Sequence, residues 1–187
     1  LSRLKVTRLP IDGLKLLERE VLGDSRGYLA RLFCSEELTD AGWVNPIAQI
    51  NHTHTSKKGT VRGMHYQRAP YAEMKLVSCL RGEIWDVAVD LRAESKTYLQ
   101  HYAVHLSAQS GTALLIPEGF AHGFQTLTDD VDLIYCHSMH YSADAEAGLN
   151  QSDKRLHIEW PLSITEISVR DQSHILIDDY FKGISTS

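Results

Sequence analysis

Two stretches decide the reading of this chain: Gly59-Thr-Val-Arg-Gly-Met-His65-Tyr-Gln67 and Gly111-Thr-Ala-Leu-Leu-Ile-Pro117-Glu-Gly119-Phe-Ala-His122. Each opens on a glycine, runs through residues that favour extended backbone, and carries one histidine within the run or at its end. Working outward, Lys75–Leu80, Glu83–Leu91, Tyr102–Leu106 and Ala113–Ile116 are β-branched or alternate in polarity, and Asp132–His140 continues the pattern. Turn residues fall between them at Arg81-Gly82, Ser110-Gly111, Pro117-Glu-Gly119 and Thr128-Asp-Asp130.

Many short strands at this spacing predict an all-β protein, a double-sheet jelly roll with its pocket inside the barrel mouth. Helix signals are few. Ser35-Glu-Glu-Leu-Thr-Asp-Ala-Gly42 predicts one short helix capped by Ser35, with short helical turns at Ala143–Leu149 and Ser173–Ile177. No internal repeat or Ser/Gly-rich linker divides the chain, so 1–187 reads as a single domain.

The spacing of the two histidine segments resembles the paired signature motifs of the cupin superfamily, whose fold is the jelly-roll barrel or double-stranded β-helix. In a metal-binding cupin the first segment carries a second histidine two residues after the first, and here that residue is Gln67. Glu73 lies too far along to serve as the usual carboxylate ligand. A catalytic metal wants about three good ligands and an open position. Two remain, so no metal is expected and His65 reads as a base. His52 and His54 read as a solvated loop or edge strand. His101, His105, His137, His140, His157 and His174 form no motif.

Composition narrows the function classes. The chain has 187 residues, 43% hydrophobic and 23% charged, and a net charge of -5. That size buries one substantial core, and that charge argues against a nucleic-acid partner, which needs a broad basic face. No apolar run approaches the ~20 residues that span a membrane. The charged opening segment lacks a signal-peptide pattern, and Cys34, Cys79 and Cys136 read as reduced core thiols, so a cytoplasmic location is expected.

Taken in order, seven motifs resemble one family. They are Arg26-Gly-Tyr, Gln49-Ile-Asn51, Arg62-Gly-Met-His-Tyr-Gln67, Lys75-Leu-Val77, Asp86-Val-Ala-Val-Asp-Leu-Arg92, Ile116-Pro-Glu-Gly-Phe-Ala-His-Gly-Phe124 and Ser168-Val-Arg-Asp171. The family is the dTDP-4-dehydrorhamnose 3,5-epimerases, cupins that act on nucleotide-linked 4-keto-6-deoxy sugars in rhamnose-like deoxysugar biosynthesis. The resemblance implies a homodimer with a nucleotide-sugar substrate and no cofactor.

The chemistry that it implies is α-proton transfer. Protons on C3 and C5 of a 4-ketohexose are acidified by the carbonyl. Inversion needs a base on one face, a donor to the enolate oxygen O4, and an acid on the other face. By family position His65 is the base, Asp171 orients it, Lys75 donates to O4 and Tyr135 is the acid. An imidazole ordinarily titrates near ~6.5, which suits a base at neutral pH. Arg26, Arg62 and Arg170 suit a diphosphate. The resemblance further implies that Gln49, Asn51, His122 and Glu146 contact the sugar or nucleotide and that Tyr141 stacks on the base.

The chain also departs from the family. Where Arg-Gly-x-Phe-x-Glu is usual it reads Arg26-Gly-Tyr-Leu-Ala-Arg31, a charge reversal on the nucleotide side. Arg170 stands where lysine is common, and Arg68-Ala-Pro-Tyr-Ala-Glu-Met74 diverges before Lys75. The competing readings are a nucleotide-sugar 3,4-ketoisomerase and a non-catalytic cupin that binds sugar nucleotides. In residues 1–23, apolar and charged residues intermingle, which predicts edge strands that pair with a partner subunit.

Overall fold

A computed structural model describes residues 3–186. The chain runs β1 (Leu4–Arg8), β2 (Lys15–Arg19), β3 (Val21–Asp24), β4 (Gly27–Ala30), α1 (Ser35–Asp40), β5 (Gln49–Thr55), β6 (Val61–Gln67) and β7 (Lys75–Arg81). It continues with β8 (Glu83–Asp90), β9 (His101–Ser107), β10 (Thr112–Ile116), β11 (Phe120–Thr126), β12 (Val131–His137), β13 (Glu146–Gly148) and α2 (Val169–Gln172). Two antiparallel sheets face each other, one ordered β1-β2-β10-β7-β12-β5 and the other β13-β6-β11-β8-β9. This is the predicted double-sheet jelly roll.

Side-chain alternation sorts β7 and β12 into an inward and an outward face. Val77, Cys79, Leu133 and Tyr135 point inward and pack with Ile84, Leu114, Ile116 and Phe124 as the core between the sheets. Leu76 and Cys136 point outward onto Leu38 of α1 and Trp43. A third cluster, Met64, Val87, Val89, Leu149 and Ile177, closes the back of the smaller sheet. Both faces of the central strands are therefore buried, which explains why they read as near-continuous apolar runs.

One irregularity shapes the site. In the ladder between β6 and β11, His122 pairs with His65 but Phe124 pairs with Arg62, so β6 spends three residues where β11 spends two. This is a bulge. Gly63 lies inside it at φ +125°, a conformation that side chains disfavour.

Several local expectations change. α1 begins at Ser35, with Cys34 in the capping position and no side-chain cap. The turn expected over Ala143–Leu149 contains strand β13 instead, because 146–148 pair with β6 as an added strand. Residues 173–177 are not helical, and the short helix α2 lies just before them, capped by the hydroxyl of Ser168. Cys34 is only half-buried, while Cys79 and Cys136 are buried free thiols. The inward strand beginning at Asp132 stops at His137 rather than His140.

The amino-terminal strands are engaged within the chain: β1 pairs with β2, and β2 with β10. What this leaves for a second subunit is the outer edge of β1 and the β3–β4 hairpin, which pairs only with itself. That hairpin exposes Val21, Leu22, Tyr28 and Leu29. Residues 1 and 2 of the expected pairing segment lie outside the described residues.

Candidate active site

The sheets splay at one end around a cavity of about 820 Å³. β6 and β11 supply His65 and His122 to one wall, and β5, β7 and β12 supply Gln49, Asn51, Lys75 and Tyr135 to the other. β13 and α2 add Glu146 and Arg170 towards the mouth and the buried Asp171 behind them. The bulge at Gly63 lets Arg62 join them. Residues three apart on a regular strand face opposite ways, yet Arg62 and His65 both line this cavity.

At its centre His65 Nε2 lies 2.8 Å from Asp171 Oδ1. The other carboxylate oxygen accepts from the Gly63 backbone N–H at 3.1 Å. Burial works against charge on Asp171, but the hydrogen bond and charge of His65 and the Gly63 N–H prevail, holding the carboxyl well below the usual range. With Nε2 committed to that anion, Nδ1 is the ring nitrogen left to take a proton. Arg170 reaches across, its Nη1 donating to Glu146 at 3.0 Å and its Nη2 lying 3.2 Å from His65 Nε2.

A second pair sits beside the first: His122 Nε2 contacts buried Asp86 at 2.7 Å. The two histidines are direct ladder partners. Exposure separates their roles, because the His65 side chain is 26% exposed and that of His122 5%. Of the two rings, that of His65 is the more open to the cavity.

On the facing wall Tyr135 is buried. Burial and the charge of Asp86 push its phenol well above the ordinary value, so it stays a protonated donor. Its ring lies between His122, edge-on at 5.9 Å, and His137, stacked at 5.9 Å. Lys75 Nζ bridges the two walls by donating to the His65 carbonyl at 3.4 Å. At the mouth Tyr141 donates from its hydroxyl to Glu146 at 2.9 Å and from its backbone to Gln49 at 3.0 Å.

All of the site residues named from the sequence line this cavity except Arg26. Arg26 sits at the tip of the exposed β3–β4 hairpin, bonded to Asp24. Arg31, the charge reversal, is spent on Glu37 of α1. His52 and His54 lie on the edge strand β5, where both contact Asp132 at 3.0 Å.

Sequence reasoning missed Glu73, His137 and the part played by Asp86. His137 has left the motif-free set: it lines the cavity with Glu73. Its position two residues beyond Tyr135 on one strand was the available signal, since such residues share a face.

Gln67, in the place of a cupin metal ligand, is buried and fully used by backbone. Its amide donates to the carbonyls of Tyr71 at 3.0 Å and His140 at 3.2 Å, and its oxygen accepts from Ser142 N–H at 2.6 Å. Among the described residues, the one cluster with metal-ligand proximity is His65, Asp171 and His174, with donor atoms within 4.8 Å of one another. The adjacent Arg170 guanidinium and the existing His65–Asp171 bond make it a poor fit for a cation.

Fold and site together define a cupin barrel whose cavity holds a histidine–aspartate pair. Comparison with known proteins narrows this further. The family model for dTDP-4-dehydrorhamnose 3,5-epimerase matches residues 8–179, and the chain belongs to that family. A protein of that name from Shigella flexneri is 40% identical over 181 residues, covering 95% of this chain and 99% of its own. The crystal structure of the Bacillus anthracis dTDP-4-dehydrorhamnose 3,5-epimerase, with TDP and PPi bound, has a TM-score of 0.90 at 37% identity. That match covers 93% of this chain and 99% of the other. A 3'-monoepimerase from Streptomyces bikiniensis, in complex with dTDP-quinovose, has a TM-score of 0.84 at 34% identity, covering 90% and 85%. The protein is accordingly an isomerase, a sugar epimerase. Among the described residues, no helix is long and apolar enough to cross a membrane.

Proposed function

We propose that this chain epimerises a nucleotide-diphosphate-linked 4-keto-6-deoxy sugar, a thymidine diphosphate sugar by analogy with its relatives, at C3, C5 or both. The observation that carries the proposal is the 2.8 Å His65–Asp171 pair opening on a cavity whose far wall bears Lys75 and Tyr135. His65 Nδ1 takes the α-proton, and the C–H electron pair becomes the enolate with its negative charge on O4. Lys75 donates to that oxygen as the charge develops. Asp171, an anion throughout, stabilises the imidazolium. Tyr135 returns a proton to carbon from the opposite face, completing inversion without net redox change.

Arg62 and Arg170 are placed to bind the diphosphate, with Gln49, Asn51, His122 and Glu146 on the sugar and nucleotide and Tyr141 stacked on the nucleobase. Arg62 is already oriented by Thr55 Oγ1 at 3.0 Å. A homodimer is part of the same reading: the exposed β3–β4 hairpin would cross to a second copy and carry Arg26 to the partner's cavity. Light scattering tests this, and a monomer with full activity overturns it.

Deuterium incorporation from D2O into dTDP-4-keto-6-deoxyglucose, followed by NMR, tests the reaction. Exchange at C3 and C5 identifies a double epimerase, and exchange at one centre a mono-epimerase. No exchange by folded protein rejects this substrate.

A further inference from the structure

Glu73 lies just before β7, has no part in the chemistry above, and yet holds two groups of the far wall at once. One carboxylate oxygen meets Lys75 Nζ at 3.2 Å and the other meets His137 Nδ1 at 2.8 Å. Lys75 and His137 are direct partners in the β7–β12 ladder, which is why a single carboxylate reaches both. The three side chains are about equally enclosed, Lys75 at 9% exposure, Glu73 at 10% and His137 at 11%.

We propose that Glu73 is a positioning residue for the epimerase: it holds Lys75 Nζ aimed into the cavity and supplies its countercharge, with His137 anchoring the carboxylate. This rests on the reading of Lys75 as the donor to the enolate oxygen. An ammonium group this enclosed has lost most of its hydration, and burial by itself favours the neutral amine. The adjacent carboxylate offsets that cost. Burial also opposes the charge on Glu73, but Lys75 and His137 outweigh it and hold its carboxyl below the usual range, so the anion persists where the enzyme works.

The other titratable groups facing this pair are few. Tyr135 stands beside His137 on β12, and His65 accepts from Lys75 through its backbone carbonyl. Tyr135 stays neutral. Glu73 is thus the countercharge in direct contact with Lys75. His137 adds a constraint of its own: its Nδ1 donates to Glu73, fixing the carboxylate plane so that the second oxygen points at the ammonium.

Glu73→Gln separates charge from shape, because the amide keeps the size and one acceptor. The variant should lose at least about tenfold in kcat with KM within about twofold, and the alkaline limb of its kcat profile should move to lower pH. Glu73→Asp should return that limb towards the wild-type position even where kcat stays low. A brace without electrostatic effect would lower Tm or kcat but leave the limb in place, and that result overturns the proposal.

A second readout needs no turnover. NMR titration of lysine labelled with 13C at Cε, assigned with Lys75→Arg, follows the Lys75 ammonium directly in wild type and Glu73→Gln. Earlier proton loss in Glu73→Gln supports the proposal, and coincident curves reject it. If wild type exchanges no α-proton while the titrations differ, the substrate reading has failed and the Glu73–Lys75 coupling stands.

Discussion

Arg62 and His65 are three residues apart on one strand and face the same cavity, because the bulge between them resets the alternation of β6. The proposed base and a guanidinium proposed to bind the diphosphate thus come from a single short segment. The device depends on Gly63 and Gly123 touching. A Cβ at Gly63 would lie 2.5 Å from the Gly123 Cα and 2.8 Å from the His122 carbonyl oxygen.

Gly63→Ala should therefore destabilise the protein by at least about 1–3 kcal/mol, from overpacking added to an unfavourable φ. Thermal melts of the variant beside its residual epimerase rate check this. A stable, fully active Gly63→Ala would show that the bulge relaxes freely and does not set the geometry of the site.

His65→Ala removes the base and leaves the nucleotide-facing rim in place. α-Proton exchange should fall by about 10²–10⁴-fold, while binding of thymidine diphosphate, measured by calorimetry, changes little. Exchange at the wild-type rate would transfer the role to His122.

Tyr135→Phe should impair net inversion more than exchange, since abstraction at the His65 face survives loss of the opposite acid. Equal loss of both would make Tyr135 a structural residue. Its raised pKa adds an optical check: the phenolate absorbance of wild type and Tyr135→Phe should coincide to about pH 11, because Tyr135 does not ionise in that range.

Asp171→Asn bears on acid stability. The folded carboxyl of Asp171 is depressed below the ordinary value near ~3.9, so its stabilisation is present above that pH and disappears as pH falls towards the folded value. Wild type should melt above Asp171→Asn at about pH 7, and the gap should narrow by about pH 3.5. A gap independent of pH would show that Asp171 acts by shape alone.

The jelly roll was readable because its inner strands must be apolar on both faces while turns interrupt them at short intervals. The cavity set was readable as well, since His65, Lys75 and Asp171 stand in motifs that resemble one family and Tyr135 takes its place from that resemblance. Other features depend on contacts between distant segments. Ala143–Leu149 has helical composition, yet its end becomes β13 because β6 offers an unpaired edge. Glu73 looked displaced from any useful position, and only the pairing of Lys75 with His137 gives it a function. Gln67 looked like a lost ligand, whereas its buried bonds to three backbone groups give it a purpose that no motif spacing encodes.

His65 belongs to one sheet and Lys75 and Tyr135 to the other, and the core of Val77, Leu114, Leu133 and Phe124 lies between those sheets. That core acts as the spacer that gauges the gap between His65 and Tyr135. Trimming it by a methyl group or two would leave a folded protein whose reacting faces no longer meet a sugar ring at the right separation. The separation of the two walls thus depends on residues such as Leu114 and Leu133, which lie outside the cavity lining.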